Sequence, residues 1–349
     1  MAFKLTHRGG AALCNRLLRC LGVAITAPAL IAASAAVAQA PYPNRPITLI
    51  APYSAGGDAD VAARNFAAAA QRLLGQTVVV INKTGASGVI GSSQAIAAPA
   101  DGYTLLLART GSQAILPAIM PTTTKYKWDD YTFIGTLELN PYGCTVNAKS
   151  PYNTFEDLAN ALRSKGKTMN FGTAGSLTTN DMGPRQLFKL LKLTEQQTPT
   201  QVPYKGSGEA SMSLLSGETD FACASLGSFF SLIKAGRLRA LVATTAERMP
   251  SLPDVPTARE LGYGEMEAIV GWSALYGPPK MANDVRDKLA AALKLVATDP
   301  AWLAATAQTG SLPFVRSPDE TREFAKNQHT LYKTLGELLN LIDSKTLAQ

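Results

Sequence analysis

The chain has 349 residues, 46% of them hydrophobic and 17% charged, with a formal net charge of +7. The hydrophobic share excludes a disordered chain, and the length suggests two domains at roughly 100–200 residues each. Four basic residues, Lys4, Arg8, Arg16 and Arg19, lie in the first 38 residues, which hold no Asp or Glu; the remainder balances 29 basic against 26 acidic residues, a net of +3. A surplus so small and so dispersed excludes a nucleic-acid-binding surface.

The first elements carry targeting chemistry. A basic stretch ends at Arg19, the apolar run "LGVAITAPALIAASAAVA" (21–38) follows, and Ala36 and Ala38 supply an A-x-A cleavage site. This predicts a secretory signal peptide over 1–38, cleaved near Ala38, in preference to an anchor, for which the run is barely long enough. A lipoprotein is not expected: Cys20 precedes the apolar run, and Arg19 stands where a small residue is needed. No later segment has 18 consecutive apolar residues. An exported chain is not expected to use ATP or a nicotinamide cofactor. Cys14 and Cys20 leave with the signal; Cys144 and Cys223 remain as a disulfide, which an oxidising compartment permits, or as two buried thiols.

Beyond residue 45 strands and helices alternate. "PITLIAPY" (46–53) reads as a strand buried on both faces. A helix capped by Asp58 or Asp60 runs to Gly75, then come a strand at 77–82, a glycine-rich turn and helix at 85–100 and a strand at 103–108, a parallel βαβαβ outline. Two strands span 131–148 with a bend at Pro141. Helix 154–164, strand 168–173, helix 180–191, strand 200–204, helix 208–216, strand 219–225, helix 228–235 and strand 238–245 follow. After the Pro-rich stretch 249–257 the pattern gives a strand at 268–277 and helices near 282–297 and 317–341. Strands near 142–148 and 238–245 bracket a middle block. The expected layout is therefore a discontinuous first domain (39–143 plus 242–349) and an inserted second domain (144–241), joined by two short crossings. Similar turns recur in the two blocks, "PYSAGGD" (52–58) and "PYKGSGE" (203–209).

Catalytic equipment is sparse. His7 departs with the signal and His329 sits on the last helix; there is no G-x-S-x-G elbow, and too few His and Cys remain for a zinc site. "GKT" (166–168) lacks the Walker A glycine, Ala161 standing in its place, and "GASGVIG" (85–91) has no acidic residue placed to hold a ribose. No cofactor and no metal are expected. What the turns offer is backbone. A helix start presents unpaired N–H groups and a partial positive charge, and glycines let a ligand approach the main chain. Several such turns, set at the carboxyl ends of strands in an α/β sheet, point to anion binding.

The segments "YPNRPITLIAPYSAGGDADVAAR" (42–64), "GASGVIGSSQAIAAPADGYTLL" (85–106), "VPYKGSGEA" (202–210), "LRALVATTAERMPSLPDVPTARELGY" (238–263) and "GWSALYGPP" (271–279) resemble, in order along the whole mature chain, the Bug family of periplasmic solute-binding receptors of tripartite tricarboxylate transporters. The resemblance implies an α/β, two-domain periplasmic-binding-protein fold of the type II, Venus-flytrap kind. It also implies no enzyme activity, a small organic anion as ligand, and large and small membrane subunits of a transporter as partners; a monomer is expected. Carried onto matching positions, the first-domain contacts are Tyr53, Ser54, Ala55, Gly56 and Gly57, then Gly85, Ala86, Ser87 and Gly88, then Arg109, Thr110, Gly111 and Ser112. The second-domain contacts are Thr173, Ala174, Gly175, Ser176, Thr178 and Thr179, then Tyr204, Lys205 and Gly206, and Ser225. Asp60 matches the family's acidic residue and reads as a helix cap.

The chain departs from the family at two places. Arg109 stands where a small or hydroxyl residue is usual; it either grips a carboxylate at the cleft edge, favouring a dicarboxylate, or points to solvent. "TAGSLTTND" (173–181) lacks a His often found there, leaving Thr178, Thr179 and Asn180 to make polar contacts. Tyr53 and Tyr204 either flank an apolar or aromatic ligand body, which adds terephthalate-like acids to aliphatic dicarboxylates and citrate, or are core residues. Replacing Arg109 by Ala is expected to weaken dianion binding with folding intact. Two other functions are weighed: a sensor that presents its closed form to a receptor kinase, and an exported serine hydrolase, which requires Ser54, Ser112 or Ser176 beside a base.

Overall fold

The computed structural model describes residues 41–342, so the predicted signal segment lies outside the described residues. Short apolar runs make the strands, and alanine-rich or amphipathic stretches make the helices between them. The first part of the chain forms β1 (Ile47–Ala51), α1 (Asp58–Leu74), β2 (Val78–Asn82), α2 (Val89–Ile96) and β3 (Thr104–Arg109). A π-type segment at Gly111–Ile115 runs into α3 (Leu116–Ile119), followed by α4 (Pro121–Thr124) and β4 (Thr132–Asn140). Next come β5 (Tyr142–Asn147), α5 (Phe155–Lys165), β6 (Asn170–Thr173), α6 (Thr179–Leu190), β7 (Thr200–Pro203), α7 (Ser207–Ser216), β8 (Phe221–Ser225), α8 (Gly227–Lys234) and β9 (Leu238–Ala243). The last elements are β10 (Gly271–Gly277), α9 (Asn283–Val296), α10 (Pro300–Gln308), β11 (Leu312–Pro313) and α11 (Pro318–Leu338).

These strands build two mixed sheets, ordered β11-β4-β10-β3-β1-β2 and β7-β6-β8-β5-β9. The plan is the same in both. A parallel block (β1 with β2 and β3; β6 with β7 and β8) is extended by antiparallel strands (β10 with β3 and β4; β5 with β8 and β9). The chain passes from the first sheet to the second at Pro141 and returns after β9. The two passages touch: the backbone N–H and the hydroxyl of Thr244 both donate to the Tyr142 carbonyl, at 2.8 and 3.1 Å.

Local chemistry explains the helix ends. Gly75, left-handed at φ 64°, closes α1 by donating its N–H to Gln71. Thr154 with Asp157, and Ser317 with Glu320, form capping boxes at α5 and α11. Five elements depart from the sequence pattern: the π-type segment, α3, α4, α10 and β11 fall where no regular structure is expected. Cys144 and Cys223 face each other across β5 and β8, fully buried, and are joined by a disulfide, which decides the alternative that the sequence leaves open. Among the described residues no helix is long and apolar enough to cross a membrane.

Candidate functional site

The loops that follow β1, β3, β6 and β7 meet between the two sheets. Three of them lead into α1, α6 and α7, whose N-cap residues Gly57, Thr178 and Gly206 donate no side-chain cap to the helix. All three helices use one device instead. The acid at the third helical position reaches back past the cap to the amide before it: Asp60 accepts from Gly56 N–H (3.0 Å), Asp181 from Leu177 N–H (2.8 Å) and Glu209 from Lys205 N–H (3.0 Å). Asp60 and Asp181 are each also paired with an arginine one turn on, Arg64 and Arg185. Burial opposes ionisation of Asp60, but hydrogen bonds from Arg64, Gly56 and Asn82 together hold its carboxyl below the usual range. The acids thus fasten the loops from outside, and three helix starts keep their positive ends for whatever lies between them.

The two similar turns of the sequence pack face to face. A side chain at Gly57 would come within 3.2 Å of the Gly208 amide, and one at Gly206 would collide with Ser54 Oγ. Nearby, Gly85, Ala86, Ser87 and Gly88 all have positive φ, a strained run for two non-glycine residues. It carries Ser87 Oγ to the Ser176 carbonyl of the opposite side, at 2.8 Å.

Where these loops converge lies a cavity of about 30 Å³, lined by Tyr53, Asp58, Ala59, Arg109, Thr110, Gly111, Ala174, Thr178, Thr179, Asn180 and Ser207. Arg109, 7% exposed, does not point to solvent; it lines the cavity from within the first-sheet wall. Its Nη1 donates to Asn140 Oδ1 (2.7 Å) and to Ser273 Oγ, while its Nη2 lies 3.7 Å from Asp58 Oδ2. Glu138 stands behind, accepting from Asn140 Nδ2 (2.9 Å); burial raises its carboxyl above the ordinary range in spite of Asn140 and Arg109. Asp58 reaches the other way as well: Ser228 Oγ donates to its Oδ1 at 2.6 Å, and its N–H donates to Ser207 Oγ at 3.3 Å. Tyr53 closes one side, its hydroxyl on the Ser87 carbonyl and its pKa pushed up to about 12 by burial. On the far wall Asn180, 3% exposed, keeps an Nδ2 with no hydrogen-bond partner among the described residues.

Of the residues that the sequence proposes, Tyr53, Arg109, Thr110, Gly111, Ala174, Thr178 and Thr179, with Asn180, line this cavity. The Thr110 hydroxyl accepts from the Trp272 amide at 2.8 Å. Gly85, Ala86, Ser87, Tyr204 and Lys205 line an adjoining groove of about 300 Å³ instead. Tyr53 and Tyr204 therefore line separate spaces, and Tyr53, packed into the first-sheet core, follows the other alternative that the sequence leaves open. Ser54, Ala55, Gly56, Gly57, Gly88, Gly175, Ser176 and Gly206 shape the turns without lining the cavity. Ser112 and Thr173 are fully buried, Thr173 accepting from Gly175 N–H and Gln201; Ser225 is buried at the end of β8. Among the described residues Ser54 Oγ has no hydrogen-bond partner, Ser112 Oγ accepts from Gln113 Nε2, and His329 of α11 lies against Trp128. Asp58, Ala59 and Ser207 were not among the expected contacts. Each sits just past a predicted loop, in the first turn of its helix, where an inward-facing first residue was the available signal.

Two sheets with loops meeting in a cleft between them define an α/β solute-binding protein of the periplasmic-binding-protein fold. Residues 62–341 match the family described as "Tripartite tricarboxylate transporter family receptor", and the chain belongs to that family. A UPF0065 protein of Agrobacterium vitis is 34% identical over 291 residues, 83% of this chain and 82% of that one. BugT of Bordetella pertussis is 32% identical over 319 residues, 90% of this chain and 94% of its own. The solved periplasmic binding protein BugD superposes with a TM-score of 0.81 at 28% identity, covering 86% of this chain and 99% of its own. MatC of Rhodopseudomonas palustris with bound malate gives 0.78 at 26% identity (84% and 99%), and R. palustris Rpa4515 with adipate gives 0.81 at 25% (86% and 98%).

Proposed function

We propose that the cleft captures a small organic carboxylate outside the cytoplasm and delivers it to the membrane subunits of a tripartite transporter. One observation carries the reading: three helix starts without side-chain caps converge on a single cavity, beside a buried arginine and an unpartnered amide donor. An exposed helix start is worth about 0.3–1 kcal/mol to an anion, up to about 2 when partly buried. Three acting together hold a carboxylate without chemistry on it. The malate and adipate bound by two structural neighbours favour the same ligand class. The ligand bridges loops of both sheets, so binding favours the closed arrangement that the membrane subunits would read.

The test is a thermal-shift screen of carboxylates against their neutral esters, followed by calorimetry. A ligand that binds only the native state raises the melting temperature. Acids should do so and esters should not; a screen in which no carboxylate shifts the transition removes this reading.

A further inference from the structure

We propose that Asp58 sets the charge that the cleft accepts: it offsets Arg109 at the cavity wall, so the preferred solute carries one carboxylate and a neutral, polar far end. The inference rests on the carboxylate reading above and narrows it.

Asp58 is the first residue of α1, yet its carboxylate caps nothing; the N-cap is Gly57, and the Asp58 N–H is taken by Ser207 Oγ. Its carboxylate is held in place from two directions, by Ser228 Oγ at 2.6 Å and by the Arg109 guanidinium at 3.7 Å. Ser228 is itself tied to Ser207 Oγ at 2.8 Å. With the side chain 6% exposed and so fastened, Asp58 has no route to swing away from an incoming anion.

Among the residues lining the cavity, Asp58 and Arg109 are the charged ones, and they form a pair. The opposite wall, Ala174, Thr178, Thr179, Asn180 and Ser207, is uncharged. Glu138 lies behind Arg109, and as an acid it adds no positive charge with which the wall could hold a second carboxylate. What remains to attract an anion is the partial charge of the helix starts, which suits one carboxylate. A second carboxylate would meet Asp58 at close range with the guanidinium already engaged, and like charges repel strongly where water is excluded. Asn180 Nδ2, the unpartnered donor of the far wall, is suited to a neutral oxygen such as a hydroxyl, carbonyl or amide.

The experiment pairs each diacid with its mono-amide, which has nearly the same shape: succinate with succinamate, and adipate with adipamate. Calorimetry at neutral pH should show the wild-type chain binding the mono-amide at least as tightly as the diacid. In Asp58→Asn the diacid should gain about tenfold relative to the mono-amide, and Asp58→Glu should keep the wild-type ratio. The Asn amide oxygen can still accept from Ser228 Oγ, and any weakening of that bond affects both members of a pair equally and cancels in the ratio. A wild-type preference for diacids of tenfold or more overturns the inference even if Asp58→Asn does not fold, and so does an unchanged ratio in a folded Asp58→Asn. Carboxylate binding with a diacid preference sinks this inference alone; no binding by any acid or mono-amide sinks the carboxylate reading with it.

Discussion

The wall that the first sheet gives to the cleft is built from fixed charge, with Arg109 and Asp58 at the surface and Glu138, Asn140 and Ser273 behind. The wall from the second sheet is built from small and uncharged residues, Ala174, Thr178, Thr179, Asn180 and Ser207, on two helix starts. A charged wall must find partners before any ligand arrives, because a buried ion left unpaired is costly, and Asp58 takes one of them, Ser228, from α8 of the facing side. A neutral wall has no such debt. Substitutions in the first wall should therefore damage stability and binding together, whereas those in the second should touch binding alone.

Arg109→Ala is the severest way to test that contrast. It strands Asp58 and Glu138 and removes the partner of Asn140 and Ser273, so a loss of about 3–5 kcal/mol is expected in chemical denaturation. The expectation of intact folding, drawn from an arginine at a cleft edge, is withdrawn because the side chain is buried. A fully stable Arg109→Ala would break the comparison. Replacing both Cys144 and Cys223 by Ala should cost about 2–5 kcal/mol, read as a lower denaturation midpoint under non-reducing conditions, even though neither sulfur touches the cavity. Gly206→Ala, by placing a methyl against Ser54 Oγ, should oppose approach of the two turns by about 1–3 kcal/mol; weaker ligand binding and a larger radius in solution scattering would show it. Asn180→Ala should lower affinity by roughly tenfold or less, as expected for one hydrogen bond, with an unchanged melting temperature. The smallest effect concerns pH. Asp60 is held below the usual carboxyl range, so its contribution to stability is present above the unfolded value and fades as pH falls through the folded one. The stability difference between wild type and Asp60→Asn should be flat near neutrality and shrink below about pH 4.

Much of the fold is written locally. Runs such as "ITLIA" and "VVVIN" can only be short buried strands, and the helices between them end at glycines and capping acids. α10 also had its signal, Asp299 followed by Pro300 and an apolar stretch, with Asp299 accepting from Trp302 N–H at 2.9 Å. The π-type segment at Gly111–Ile115 had none, since its shape comes from packing against neighbours. The site divides in the same way. Glycine turns betray the loops, but the partners that bury Arg109 come from residues 58, 138, 140 and 273, and only tertiary structure brings them together. The likeness of "PYSAGGD" to "PYKGSGE" is also shifted in register: it aligns Asp58 with Glu209, whereas the structural counterpart of Glu209 is Asp60.

That shared acid at the third helical position bears on how fast and how tightly a solute is taken up. Each turn is tethered by its own helix, so its amides are preorganised before any solute arrives, and a solute docking there would cost little conformational entropy. Affinity is then governed by the approach of the two walls, and the first encounter needs no loop to fold.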